Sequence, residues 1–131
     1  MVWEGPFEPQ SDNVAAVRHF TRERFDRVTP KCVADLVLVA SELATNAIVH
    51  ARTRFSVGLG LTGGVGRIEV VDRAPNLPSG RSLALSTSNR RGLLVVATLA
   101  DSWGVEWEEA SKTVWAELAV TLLRPATWDW R

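Results

Sequence analysis

The chain has 131 residues, with 15 basic and 15 acidic side chains, and 46% of its residues are hydrophobic. That length and that hydrophobic content are enough for one continuous core, so we expect a single domain over residues 1–131. Because the formal net charge is zero, no overall field attracts the chain to a nucleic-acid backbone or to an anionic membrane. Direct nucleic-acid binding is therefore not expected.

Export and membrane insertion are not indicated either. The longest apolar stretches, such as residues 36–40 and 92–100, are shorter than the roughly 20 residues that cross a bilayer. No secretory signal precedes Trp3. The single cysteine, Cys32, cannot form an internal disulfide. We therefore expect a cytoplasmic protein that makes no contact with a membrane.

The first part of the chain predicts an arm and two helices. Residues 1–10 are rich in proline and glycine, which favours an extended arm or a short edge strand. Ser11 is a candidate N-cap for the first helix. Thr29 followed by Pro30 is a strong start signal for the second, which we expect to run to about His50. Apolar residues cover a broad surface of this second helix, so it should be largely buried.

The next part predicts a β-hairpin. Residues 54–62 alternate between apolar and small or polar side chains, as a half-buried strand does. Gly63 and Gly64 supply the turn. On the returning strand, one face carries Ile68, Val70 and Asp72.

Residues 73–91 lack periodicity, and such long insertions in compact domains are commonly functional lids. A short helix around Leu93 and Val96 follows. Alternating residues then predict a second hairpin, and residues 120–131 form a C-terminal tail without an assigned structure. This order of elements predicts an α+β fold, a two-layer sandwich with helices on one face of a mixed, mostly antiparallel sheet.

The second helix carries a polar stripe. Glu42, Asn46 and His50 are four residues apart, so they lie along one narrow stripe of an otherwise apolar helix. Polar groups on a largely buried helix need partners. From the spacing alone, both a functional site and a stripe facing water stay open.

Residues 41–51 (SELATNAIVHA) resemble the N-box of the GHKL ATPases, the superfamily of gyrase, the heat-shock chaperone, histidine kinases and MutL. They look most like the small anti-sigma-factor serine kinases. The resemblance implies a Bergerat-type, histidine-kinase-like ATPase fold with ATP and Mg²⁺ as cofactors. It makes the Asn46 oxygen the magnesium ligand and Glu42 the proposed general base, with His50 in the same cofactor-binding box. Magnesium does prefer hard oxygen ligands that it shares with phosphates.

Asp72 follows this box by one hairpin. Alone, it could be a turn-capping aspartate, but in this order it resembles the aspartate that accepts the adenine amino group. A guanine carbonyl in that place would set an acceptor against the acceptor of Asp72 and weaken the binding free energy by roughly 1 to 3 kcal/mol. The resemblance therefore predicts a preference for ATP over GTP. Ala74 stands where the superfamily usually has glycine, and its methyl group limits close approach of the backbone to the base.

Residues 89–94 (NRRGLL) resemble the glycine box that ends the ATP lid and opens the next helix. The resemblance assigns Gly92 and Leu93 to the nucleotide site, since N–H groups at a helix start bind phosphate oxygens. Arg91 would add charge-assisted bonds to the phosphates. Arg90 stands where many relatives have a first glycine.

Residues 100–104 and 112–115 resemble the closing hairpin of small bacterial anti-sigma kinases. The resemblance implies that Thr113 supports the adenine pocket beside the aspartate. The alternative, a threonine that only fills a strand position, stays open.

Together these boxes imply a serine/threonine kinase that binds a sigma factor and phosphorylates an anti-anti-sigma protein of the STAS fold. A homodimer is possible, as in relatives. The alternative is a non-catalytic protein-interaction module that keeps the fold and nucleotide binding. Ala74 and Arg90 favour this alternative, because both depart from the family pattern at positions facing the ligand.

Overall fold

A five-stranded antiparallel sheet carries the helices on one face. The structure, a computed structural model, describes residues 1–74 and 87–124, without the side chains of residues 87–91. The elements in chain order are β1 (Val2–Phe7), α1 (Asn13–Arg24), α2 (Pro30–Asn46), a π-helix (Ala47–Ala51), β2 (Phe55–Thr62), β3 (Val65–Asp72), α3 (Thr87–Leu99), β4 (Ser102–Trp107) and β5 (Lys112–Ala119). The two-layer α+β class predicted from the sequence is confirmed.

The strand order is β1-β2-β3-β5-β4, and every pairing among the described strands is antiparallel. The mixed sheet that we expected is therefore wholly antiparallel in the described residues. Residues 2–7 form the edge strand that the sequence offered as one of two possibilities. Both predicted hairpins are present. In the first, Gly63 and Gly64 have φ angles of +56° and +76°, which glycine adopts without steric cost.

Helix α2 lies at the centre of the core. It begins at Pro30, as predicted from the Thr29–Pro30 pair, although Thr29 makes no side-chain capping bond. Its fully buried face packs against α1, α3 and the sheet and consists of Leu36, Val39, Ala40, Leu43 and Ala44. Burial of this face fixes the rotation of α2 about its axis. It thereby fixes the direction of the polar stripe beside that face.

The end of α2 differs from the expectation of a regular helix to about His50. The α-helical geometry stops at Asn46, and Ala47–Ala51 form a π-helix. Arg52 then adopts a left-handed conformation with φ of 56°. Because a π-turn holds more residues than an α-turn, His50 is rotated away from the stripe expected for four-residue spacing. Single π-turns of this kind occur frequently at functional sites.

Two other helix starts differ from the prediction. Helix α1 begins at Asn13 after Asp12, whereas Ser11 was the expected cap. Helix α3 begins at Thr87, so the last five residues of the predicted lid 73–91 are helical and Gly92 lies inside the helix instead of at its start. Residues 75–86 of the lid are outside the described residues.

The helical run Pro30–Ala51 is apolar enough by length and composition to cross a membrane. The sequence did not predict this, because polar residues interrupt the run. Half of its most apolar window is buried in the protein, and a core helix passes the same test. Its apolarity is accounted for by the core that it fills.

Of the C-terminal tail 120–131, the structure describes residues 120–124. Leu122 forms an isolated bridge to Val28, and the Leu123 N–H donates to the Arg27 carbonyl at 2.7 Å. These contacts join the tail to the loop between α1 and α2. Residues 125–131 are outside the described residues.

Candidate functional site

The polar stripe of α2 faces α3 at Gly92. A methyl group built on Gly92 would lie 3.0 Å from Glu42 Oε2 and 3.6 Å from Asn46 Oδ1. Gly92 itself is buried. A side chain here would therefore fill the space into which the carboxylate and the amide point, and glycine leaves that space open. The structure thus brings together three of the residues implied by the resemblance.

Asn46 is a buried polar residue without a complete set of partners. Its side chain is 4% exposed, and its Nδ2 group has no hydrogen-bond partner in the structure. Buried polar atoms are almost always paired, because an unmade bond there costs about 1 to 3 kcal/mol. Core packing does not explain this amide. A hydrogen-bond acceptor on a bound ligand, such as a phosphate oxygen, would pair the Nδ2 group.

The donor set fits a magnesium ion shared with a nucleotide. In the described residues, no three His, Cys, Asp or Glu side chains lie close enough to hold a metal between them. An ion bound at the Asn46 oxygen would take its other ligands from phosphates and water, as Mg²⁺ ordinarily does. The half-buried Glu42 carboxylate lies beside the same space.

Asp72 lies at the end of β3 with both oxygens engaged. It is 1% exposed, and its Oδ1 accepts a bond of 2.9 Å from the Ala74 N–H. Its Oδ2 lies 3.2 Å from Lys112 Nζ, in an ion pair whose side chains are 1% and 3% exposed. The turn-capping role that the sequence left open is therefore present. Asp72 also has a buried counter-charge on the neighbouring strand.

Lys112 was not predicted to belong to the site. The β3–β5 register pairs Asp72 directly with Lys112, and the lysine ammonium also lies 5.5 Å from the centre of the Trp107 ring. The signal was available in the sequence. Val114, Ala116 and Leu118 alternate toward the core, and the residue two places before Val114 must share their face.

Thr113 is not brought to Asp72. It pairs with Val71 on β3 and Glu106 on β4. Successive residues of a strand point to opposite faces, so Thr113 lies on the face away from the helices, while Asp72 and Lys112 lie on the helix face. The residue of β5 directly beside Asp72 is Lys112.

His50 lies in the π-helix and is half-buried. Burial lowers its pKa below the ordinary value of 6.5, and the positive charges of Lys112 and Arg52 lower it further. The imidazole is therefore neutral at pH 7. The positive charge of Lys112 acts on His50, so His50 belongs electrostatically to the Asp72 end of the site. It does not extend the stripe formed by Glu42 and Asn46.

The remaining candidate residues contribute less to the geometry. Leu93 is 7% exposed and packs inside the domain, so its side chain is a packing residue. The side chains of Arg90 and Arg91 are outside the described residues. The implied phosphate contact of Arg91 therefore stays a prediction.

Comparison with solved structures finds the same fold in several proteins. The chain is similar to the RsbU and RsbW domains of Rv1364c from Mycobacterium tuberculosis, with 20% identity and a TM-score of 0.69 over 96% of this chain and 34% of that one. It is also similar to the histidine kinase domain of a blue-light-activated histidine kinase from Erythrobacter litoralis EL346, with 15% identity and a TM-score of 0.58 over 84% and 60% of the two chains. The histidine kinase AdeS from Acinetobacter baumannii matches with 10% identity and a TM-score of 0.56 over 92% and 68%. These likenesses establish the fold.

The chain spans 34% and 60% of the first two of these structures. No curated protein matches the chain. A family model, however, matches residues 7–118, which include the Glu42–Asn46–Gly92 cluster and the buried Asp72. The chain belongs to the histidine kinase-like ATPase domain family.

Proposed function

We propose that this chain is a cytoplasmic regulatory protein that binds a magnesium–nucleotide complex, ATP being the nucleotide of its family, and transfers the terminal phosphate to a protein serine or threonine. The observation that carries the proposal is the convergence of Glu42 and the incompletely paired Asn46 amide on Gly92. Membership of the ATPase family supports nucleotide binding there.

Each residue has a role that its position allows. Asn46, buried and held by α2, offers its amide oxygen to the metal of the complex. Bound magnesium supplies positive charge that neutralises the phosphates. Glu42 is half-buried, so its carboxylate is shielded but reachable. It accepts the proton of the attacking hydroxyl as that oxygen bonds to the terminal phosphorus, and the bond to the nucleoside diphosphate breaks.

The proposed partners are a sigma factor, which the chain binds, and a STAS-fold anti-anti-sigma protein, which it phosphorylates. Similarity of the 41–51, 89–94 and 112–115 segments to small anti-sigma kinases supports this assignment. The shared fold with a structure that contains an RsbW domain also supports it. A homodimer belongs to the same proposal. These partners rest on analogy of fold and motif.

A second function has specific support. Ala74 replaces the glycine expected beside the base, and Lys112 occupies the position beside Asp72. Both changes alter the ligand-facing surface while leaving the fold intact. They favour a protein-interaction module that binds nucleotide without transferring phosphate.

Glu42→Gln distinguishes these functions, because glutamine keeps the size and helix propensity of glutamate but cannot accept a proton at neutral pH. The assay measures nucleotide binding by calorimetry and transfer of labelled phosphate to STAS proteins of the same organism. We expect the parent to transfer phosphate and Glu42→Gln to bind nucleotide with transfer reduced by about 10² to 10⁴-fold.

Glu23→Gln is the matched control, because Glu23 is an exposed glutamate on α1. It should behave as the parent does. Equal transfer by the parent and Glu42→Gln would refute Glu42 as the base. Nucleotide binding by both without transfer to any STAS protein would favour the interaction module.

A further inference from the structure

We propose that Lys112 and Asp72 act together as the base-recognition pair of the nucleotide site, with Asp72 accepting a hydrogen bond from the 6-amino group of adenine and Lys112 donating one to its N1 atom. The inference rests on the proposed function, because it concerns the base of the nucleotide whose phosphates lie at Glu42 and Asn46. It assigns a specificity-determining role to a lysine in place of the expected Thr113.

The pair is held by the sheet and not by two flexible surface side chains. Asp72 and Lys112 are direct partners in the β3–β5 register, and both are almost fully buried. Their facing atoms, Oδ2 and Nζ, are 3.2 Å apart. A fixed acceptor and donor at this spacing can meet two adjacent atoms on the edge of a planar base, as bidentate side chains do.

The buried ammonium has hydrogen-bonding capacity left for a ligand. An ammonium carries three N–H donors. Within residues 1–74 and 87–124, Lys112 is paired with Oδ2 of Asp72. Contact with the Trp107 ring adds a cation–π interaction but no acceptor atom. A donor held in a nearly water-free position gains from a further acceptor, and a ring nitrogen of a base is one.

A cavity lies at the same end of the sheet. Asp72 borders this cavity of about 630 Å³ between the ends of β2, β3 and the β4–β5 turn, which is also lined by Ser56 and Val71 and is not lined by Lys112. This volume falls within the usual range for small-molecule sites. Phe55, whose backbone pairs with Asp72 in the sheet, also lines it.

Adenine matches the pair, whereas a 6-oxo purine in the same orientation does not. Adenine presents a donor at its 6-amino group and an acceptor at N1, opposite the carboxylate and the ammonium. Guanine presents a carbonyl and an N–H at these positions, so an acceptor meets Asp72 and a donor meets Lys112. Two mismatched contacts should disfavour guanine more than the single mismatch at Asp72 would.

The experiment compares ATP with 1-deaza-ATP, in which a C–H group replaces N1, on the full chain with magnesium. The parent should bind ATP roughly tenfold or more tightly than the analogue, the effect of one charged hydrogen bond. Lys112→Met keeps the length of the side chain and removes the donor, so it should bind both nucleotides with about equal affinity. Lys112→Gln, which keeps a neutral donor, should retain part of the preference for ATP.

Lys31→Met is the control, because Lys31 is exposed on α2 and should leave the preference unchanged. If the parent binds ATP and 1-deaza-ATP equally, or if Lys112→Met binds ATP more tightly than the parent, the lysine is not a donor to N1 and the inference is overturned while nucleotide binding stands. If the parent binds neither nucleotide, the proposed function fails and this inference fails with it. Equal binding of ATP and 1-deaza-ATP by the parent overturns the inference even if both Lys112 variants fail to fold.

Discussion

Gly92→Ala separates the function of the site from the stability of the fold. Gly92 lies inside α3, where alanine is favoured over glycine by about 1 kcal/mol. The new methyl group would contact Glu42 Oε2 at 3.0 Å. That oxygen is the end of a flexible side chain and can move by a few tenths of an ångström. Asn46 Oδ1 at 3.6 Å is in ordinary van der Waals contact. We therefore expect the unfolding free energy to stay level or to rise by up to about 1 kcal/mol.

Ligand binding should change in the opposite direction. The methyl group occupies the space shared by Glu42 and Asn46, and displacement of Glu42 narrows it further. Magnesium-dependent nucleotide binding should weaken tenfold or more, while the melting temperature of the free protein stays level or rises by up to about 4 °C. Calorimetric titration and thermal unfolding measure the two effects on the same sample.

Thr98→Ala is the matched control on the same helix. Thr98 is exposed, and its hydroxyl bonds only to the Leu94 carbonyl at 2.7 Å among the described contacts. Because alanine has the higher helix propensity, replacement of Thr98 should raise the free energy of unfolding by roughly half a kcal/mol. The substitution makes no contact with the site. If Gly92→Ala binds the magnesium–nucleotide complex as tightly as Thr98→Ala does, the space at Gly92 is not the ligand site.

Two further substitutions test the two parts of the site, one at Asn46 and one at Asp72. Asn46→Ala should abolish magnesium-dependent nucleotide binding with the circular dichroism spectrum unchanged, because α2 keeps its apolar face; unchanged affinity would remove Asn46 as the metal ligand. Asp72→Asn leaves the Lys112 ammonium buried without its counter-charge, so urea unfolding should show a loss of about 3 to 5 kcal/mol. The double variant Asp72→Asn, Lys112→Met should be more stable than Asp72→Asn alone, and equal stability would mean that Lys112 reaches solvent when Asp72 changes.

Much of the fold could be predicted from the sequence because its signals are local. The Thr29–Pro30 start of α2 depends on neighbouring residues, and so does the Gly63–Gly64 turn. The alternation of β2 and β3 repeats every second residue, which is enough to place Asp72 on the core face. The Glu42–Asn46 pair could also be predicted, since four-residue spacing on a helix requires no tertiary information.

The predictions that differ from the structure concern features that tertiary contacts determine. A shift of one residue moves a side chain to the other face of a sheet, so the resemblance of residues 112–115 to a family segment did not show that Lys112, and not Thr113, lies beside Asp72. The start of α3 at Thr87 lies in a segment with several successive Ser, Thr and Asn residues, each of a type that caps helices, so the sequence does not select one start. The π-turn after Asn46 is likewise invisible to a pattern that assumes 3.6 residues per turn.

That π-turn has a consequence that can be measured without a ligand. Burial is the largest cause of the lowered pKa of His50, and the charges of Lys112 and Arg52 are the next two. Lys112→Met removes the second cause and leaves the first, so the pKa of His50 should rise while remaining below 6.5. Arg52→Met should raise it by a smaller amount, because Arg52 contributes less. Titration of the His50 ring protons by NMR measures both shifts, with the exposed His19 as an internal reference. An unchanged His50 pKa in Lys112→Met would show that the ammonium is too distant or too well neutralised by Asp72 to act on the imidazole, and the two would then not belong to one electrostatic site.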